Sequence, residues 1–166
     1  MKSIWRTLAA PAFVWLSPSA GSAQPALPLV AQQTLLTAEG ARRALGAAEK
    51  EATRRGLNLS IAVVDAAGHL LAFQRMDNAR LITIDVAIGK ARTAAYLRSP
   101  SKVLEETING GRAALLAIEG IMPLQGAVPI IVEGVVVGAI GASGASSADD
   151  ELVAKAGAEI LSKTSE

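Results

Sequence analysis

The chain contains no cysteine, which excludes disulfides, thiolate metal sites and a cysteine nucleophile. Aromatic residues are nearly as scarce: two Trp, two Phe and one Tyr among 166 residues. Both Trp and Phe13 lie in the first 23 residues, which read as a removable leader, so Phe73 and Tyr96 alone remain and offer no platform for stacking the bases of a single-stranded nucleic acid. Sixteen basic side chains stand against fifteen acidic ones, so the basic footprint of a nucleic-acid binder is missing as well. There is a single histidine, His69. A catalytic zinc site normally takes two or three. A hydrolytic triad would have to be built on His69, yet no serine sits in a G-x-S-x-G elbow. Gly141-Ala142-Ser143-Gly144 comes nearest, one residue short. Long apolar runs are also lacking. Leu8 to Leu16 is too short to span a bilayer, and Pro11 and Pro18 break it.

That apolar run has a different reading. Lys2 and Arg6 precede it, Ser17-Pro18 ends it, and small residues follow to Gly21-Ser22-Ala23. This is the layout of a secretory signal peptide over 1–23, cleaved before Gln24. Removing the first 23 of 166 residues leaves 143, enough for one domain with a core. Two of the 16 basic residues go with it, so 14 remain against 15 acidic ones. The expected location is periplasmic or secreted, with no membrane span after processing. The absence of disulfides leans toward a bacterial periplasm. Residues 24–36, with Pro25 and Pro28 and no periodicity, read as a linker. The domain is expected over 37–166.

Within that domain the clearest stretch is Leu59 to Asp77, LSIAVVDAAGHLLAFQRMD. It reads as two strands joined by a type I turn, with Asp65 at its first position and Gly68 at its fourth. Before it, Thr37 caps a helix running to about Arg55, with Ala41, Leu45, Ala48 and Ala52 as its buried stripe. After it, a helix from about Thr83 to Leu97 turns Ile84, Ala87, Ile88, Ala91 and Ala95 inward. Ser99-Pro100 fits the start of a third helix ending at Asn109-Gly110-Gly111. Leu115 to Ile118 could form a short strand. Val128–Val132 and Val135–Ala142 form a second hairpin across Glu133-Gly134, and Pro129 confines the first of these strands to an edge. Ser147 caps a last helix, with acidic residues 149–151 in its first turn and a Leu152, Ala156, Ile160 stripe. The fold class is therefore α/β (α+β): consecutive hairpins forming a mainly antiparallel sheet, with helices packed on it.

The candidate chemistry gathers on the first hairpin and the helix after it. One histidine suffices as an axial ligand of haem iron, and His69 is the candidate metal ligand. The competing reading is a polar residue flanking a turn. Met76 is either a soft ligand or core filler. Arg75 and Asp77 leave the hairpin together, while Lys90 and Arg92 come from the helix. If that helix folds back over the strand ends, Lys90 and Asp77 could bind a small anion or form a structural ion pair. Ser143 and Gly144 end the glycine-spaced run Gly138, Gly141, Gly144. That spacing is not a dinucleotide fingerprint, and marks either close packing or a ligand approaching bare backbone.

Together these pieces resemble the GlcG/HbpS family of small haem-binding and glycolate-operon-associated proteins. The resemblance rests on Ser60 to Asp65, Gly68 to Leu71, Arg75-Met76-Asp77, Lys90-Ala91 with Thr93-Ala94, and Val135 to Gly141 running on to Ser143-Gly144. It covers about Leu36 to Ile160. The resemblance implies a profilin-like single domain with an antiparallel sheet of about five strands flanked by helices, and a homo-oligomer. Several members are exported, some bind haem or sense it with a partner kinase, and many have no established role. Residues 119–126 depart from the pattern, since relatives tend to carry a glycine cluster before the proline of the second hairpin.

The expectation is thus an exported binding protein for haem or a related tetrapyrrole or small molecule, in sensing or storage, rather than an enzyme. His69, Met76, Lys90 and Arg92 would serve the cofactor, with His69 on the iron and Lys90 or Arg92 on a propionate. The rival is an accessory protein or enzyme acting on a small organic acid without haem, through Arg75, Asp77, Lys90, Ser143 and Gly144. A structural oligomer without a ligand is the third reading.

Overall fold

The computed structural model describes residues 29–30 and 32–162. The expected signal peptide and part of the expected linker lie outside the described residues. The chain divides into two units between Gln32 and Gln33, and every regular element among the described residues belongs to the second.

Helix α1 spans Ala38–Arg54, and its start is fixed by the Thr37 hydroxyl accepting from the Gly40 N–H at 3.0 Å. Strands β1 (Ser60–Asp65) and β2 (Leu70–Arg75) form the expected first hairpin. Helix α2 covers Thr83–Leu97 and α3 covers Lys102–Asn109. A short 3-10 helix, Ala113–Ala117, precedes β3 (Ala127–Val132) and β4 (Val135–Ser143), and α4 (Ser147–Ser162) follows. The β3–β4 turn places Glu133 at φ 50° and Gly134 at φ 77°, the two positive angles of a primed turn.

The sheet has four antiparallel strands in the order β2-β1-β4-β3, so Pro129 does lie on an edge strand. One face carries Ile61, Val63, Ile130, Val137 and Ile140 against α1 and α4. The other carries Ala62, Val64, Ala127 and Ala139 against the alanines of α2. Small residues let α2 sit close. A side chain at Gly141 would meet the Ala87 carbonyl oxygen at 2.6 Å and the Ala91 nitrogen at 2.8 Å.

Several sequence expectations need correction. The sheet has four strands rather than about five, because the 115–118 segment is not a strand. Its Ala-Ala-Leu-Leu-Ala run holds strong helix formers and no β-branched residue before Ile118, and Leu116 and Ile118 are exposed. Helix α3 begins at Lys102, not beside Ser99-Pro100. Ser101 instead ties it to β3, its N–H donating to the Ala127 carbonyl at 3.0 Å while its hydroxyl accepts from the Ala127 N–H at 3.1 Å. The Ser146 hydroxyl, not Ser147, accepts from the first turn of α4 through the Asp149 N–H. That helix buries Asp150, Val153, Ala154 and Gly157 in place of Leu152, Ala156 and Ile160. In α1 it is Ala44 that is fully buried where Leu45 was expected, and Leu45 is partly covered.

One interaction joins the two sides of the sheet. Lys90 on α2 is 3% exposed, and its ammonium donates to Asp150 Oδ2 at 2.9 Å and to the Ala142 carbonyl at 3.3 Å. Asp150 on α4 accepts the Ala145 N–H on its other oxygen at 3.0 Å. Both charges are removed from water, so each depends on the other. Lys90→Met and Asp150→Asn are each expected to cost about 3–5 kcal/mol of stability, because each strands one buried charge. The double variant removes both charges while the asparagine oxygen keeps the Ala145 bond. Urea denaturation should show it losing clearly less than the two single losses together. Strict additivity would mean that the two groups act independently.

Candidate functional site

The tip of the first hairpin is organised by Asp65. Its carbonyl accepts from the Gly68 N–H at 3.0 Å, closing the turn. One carboxylate oxygen accepts from the N–H groups of Ala67 at 2.9 Å and His69 at 2.8 Å. The other lies 3.3 Å from His69 Nδ1. Burial works against the Asp65 charge, but the two backbone donors and the histidine outweigh it and hold the carboxyl below its ordinary value of 3.8. A carboxylate can only accept, so the imidazole proton belongs on Nδ1 and the lone pair of the neutral ring on Nε2. The His69 side chain is 79% exposed, and Nε2 has no protein partner among the described residues.

Helix α2 covers this turn from above. Gly68, at φ 81°, occupies a backbone region that other residues rarely adopt, and a side chain there would meet Tyr96 at 2.7 Å and Arg92 at 2.9 Å. Arg92 Nε donates to the Gly68 carbonyl at 3.3 Å, which leaves both terminal nitrogens of the guanidinium without a partner among the described residues. His69 and Arg92 are therefore brought to the same end of the molecule.

The remaining expected residues lie elsewhere. Met76 is at the far end of β2 from His69, roughly 23 Å away for seven extended residues, and packs partly buried against the core. Arg75 and Asp77 are exposed at that far end. Ser143 is buried and pairs in register with Ser60, which also pairs with Arg75, so Arg75 and Ser143 share one row across the sheet. Gly144 packs beneath Asn58 and Leu59. Lys90 does not meet Asp77, because its carboxylate partner is Asp150. Sequence reasoning missed Asp150 by reading residues 149–151 as a helix-dipole complement. The missed signal was the i, i+3, i+4, i+7 stripe of Asp150, Val153, Ala154 and Gly157, which places Asp150 on the inward face.

A second feature lies on the outer side of α2. Asp85, Ile88, Gly89 and Arg92 face residues 120–122 across a cleft of about 430 Å³. The Met122 N–H donates to Thr93 Oγ1 at 2.7 Å, and that hydroxyl donates to the Gly89 carbonyl at 2.9 Å. Gln125 anchors the end of the loop, with its N–H on Glu105 and its side-chain amide on Glu151 at 2.8 Å. Burial opposes the Glu151 charge, but Lys155, Gln125 and Lys102 outweigh it and hold the carboxyl below its ordinary value of 4.5.

Asp65 and Glu151 both release their protons more readily in the folded chain than in the unfolded one. Their contribution to stability is complete above the ordinary carboxylate range and is lost as pH falls through the lower, folded values. Urea denaturation between pH 7 and 3 should therefore show stability dropping below about pH 4.5. Asp65→Asn and Glu151→Gln should each flatten that decline. A decline of unchanged steepness in both variants would assign it to other groups.

Comparison with known proteins adds a family to this geometry. Residues 36–159 match the family model described as "Haem degrading protein HbpS-like". Protein GlcG of Escherichia coli K12 is 40% identical over 111 residues, 67% of this chain and 83% of that protein. Klebsiella pneumoniae protein ORFY, of family DUF336, superposes with a TM-score of 0.76 at 29% identity, covering 82% of this chain and 98% of that one. A double mutant of HbpS from Streptomyces reticuli gives a TM-score of 0.75 at 34% identity, covering 87% and 99%. By the family match and by its identity to GlcG, this chain belongs to the HbpS-like family.

Proposed function

We propose that this protein binds haem or a related tetrapyrrole at the tip of its first hairpin, as an exported, self-associating binding protein. The observation that carries the reading is His69. Its ring is held by Asp65 at Nδ1, and Nε2 is open to solvent. A ligating histidine usually donates its second ring N–H to a carboxylate, which fixes its orientation and raises the basicity of the ligating nitrogen. Arg92, pinned through Nε beside the turn, has its guanidinium fork free for a propionate carboxylate. Tyr96 on Gly68, together with the exposed Leu70 and Leu71, supplies apolar surface for the macrocycle. The family description names haem as what HbpS-like proteins handle.

Export is supported by the signal-like layout of residues 1–23, and self-association by the many large apolar side chains left exposed, among them Leu81, Ile82 and Leu116. The organic-acid reading built on Lys90 and Asp77 loses its central charge, because Lys90 is already matched by Asp150.

Haemin titration followed at the Soret band tests the proposal. The protein should give a saturable shift that His69→Ala abolishes. Asp65→Asn should weaken binding by about 10–100-fold while leaving it detectable, as loss of an orienting partner does. A Soret titration unchanged in His69→Ala would overturn the ligation.

A further inference from the structure

The cleft on the outer side of α2 shares Arg92 with the hairpin tip, but the tip accounts for neither Asp85 nor the loop wall. The cleft volume of about 430 Å³ falls in the range of small-ligand sites. It carries one cation and one anion that do not neutralise each other. Arg92 engages protein only through Nε, and Asp85 is exposed with no hydrogen-bond partner among the described residues. The two are seven residues apart on one helix, which places them on the same face about 10 Å apart along the axis. Among the described residues no ion pair joins their side chains, which leaves Arg92 and Asp85 each open to a small molecule lying between them.

We propose that this cleft binds a short-chain carboxylic acid bearing an ammonium or hydroxyl donor at its far end, with the carboxylate on Arg92 and the donor on Asp85. A guanidinium fork matches a carboxylate with two parallel hydrogen bonds. Asp85, when ionised, can only accept, so it selects a donor and repels a second carboxylate. An extended four-carbon chain measures about 5 Å between its end groups and can lie along the helix with a charge-assisted hydrogen bond of about 2.8 Å at each end. Ile88, Ile121 and Met122 provide the apolar wall for its methylenes. The wall is formed in advance, because Thr93 holds the Met122 N–H, and Gly89 lets the Met122 side chain lie against the helix. A side chain at Gly89 would come within 2.9 Å of Met122 Cε. A site already in its bound shape loses little affinity to ordering.

Isothermal titration with 4-aminobutyrate, butyrate and succinate tests this selection. The expected order is 4-aminobutyrate tightest, butyrate about tenfold weaker for want of the donor, and succinate weakest. Asp85→Asn, an exposed substitution that leaves the fold undisturbed, should bring 4-aminobutyrate down to the level of butyrate. Arg92→Gln should remove all three. His69→Ala should leave the order and the affinities intact while abolishing haemin binding, so failure here and failure of the haem reading are separately visible. The proposal is overturned by no binding of any of the three acids at millimolar concentration. It is equally overturned by an order unchanged in Asp85→Asn, or by binding that survives Arg92→Gln.

Discussion

The buried pair of Lys90 and Asp150 is the constraint on which the rest of the molecule depends. Helix α2 lies on one face of the sheet and α4 on the other, so these charges can meet only past the sheet's end, beside the Ala142 carbonyl. An ammonium removed from water is tolerated only in a well-matched setting, so α2, β4 and α4 must converge there. Gly126 completes the contact. Its φ of 133° is rarely adopted by other residues, and a side chain there would come within 2.7 Å of the Lys90 ammonium and 2.9 Å of Asp150 Cβ. Gly126 also ends the 118–126 segment and leads into β3. A polar contact in the interior therefore helps set where the loop wall falls on the outer surface of α2.

The same contact fixes the rotation of α2. With Lys90 turned inward, Arg92 two residues later is rotated by about 200° and faces outward. Two cations that look equivalent in the sequence thus have opposite fates. One is locked into the core, and the other stands beside the hairpin tip with most of its donors free. The close approach permitted by Gly141 then carries the end of α2 to Gly68, where Arg92 and Tyr96 brace the turn that holds His69.

Features governed by local chemistry were legible in the sequence. The Asp65–Gly68 turn, the Thr37 cap, the primed turn at Glu133-Gly134 and the extent of α2 all follow from a few adjacent residues. Features decided by long-range competition were not. The third helix was expected to start at Ser99-Pro100, but Ser101 just before it is held by Ala127, 26 positions away. The acidic start of α4 read as a complement to the helix dipole, although Asp150 in it meets Lys90. The Leu115–Ile118 run was ambiguous between strand and helix because a short apolar segment carries no usable period. The outer cleft was invisible for a related reason. Its two walls come from segments some thirty residues apart, brought together through the Thr93 and Gly89 contacts with Met122.

His69 and Arg92 share a setting that limits how they can bind. Both lie at or near the surface, where a single charge pair contributes little and salt screens it further. In the proposed haem site, affinity would therefore come from coordination at Nε2 and from burial of apolar surface, with Arg92 setting orientation more than strength. Leu70, Leu71 and Tyr96 are exposed in the single chain, so that burial is incomplete. Self-association, as proposed with the haem reading, would supply the missing cover and convert an open surface into an enclosed one. The outer cleft differs in this respect. Its loop wall is already fastened to α2 within one chain, so a small ligand there requires no second copy.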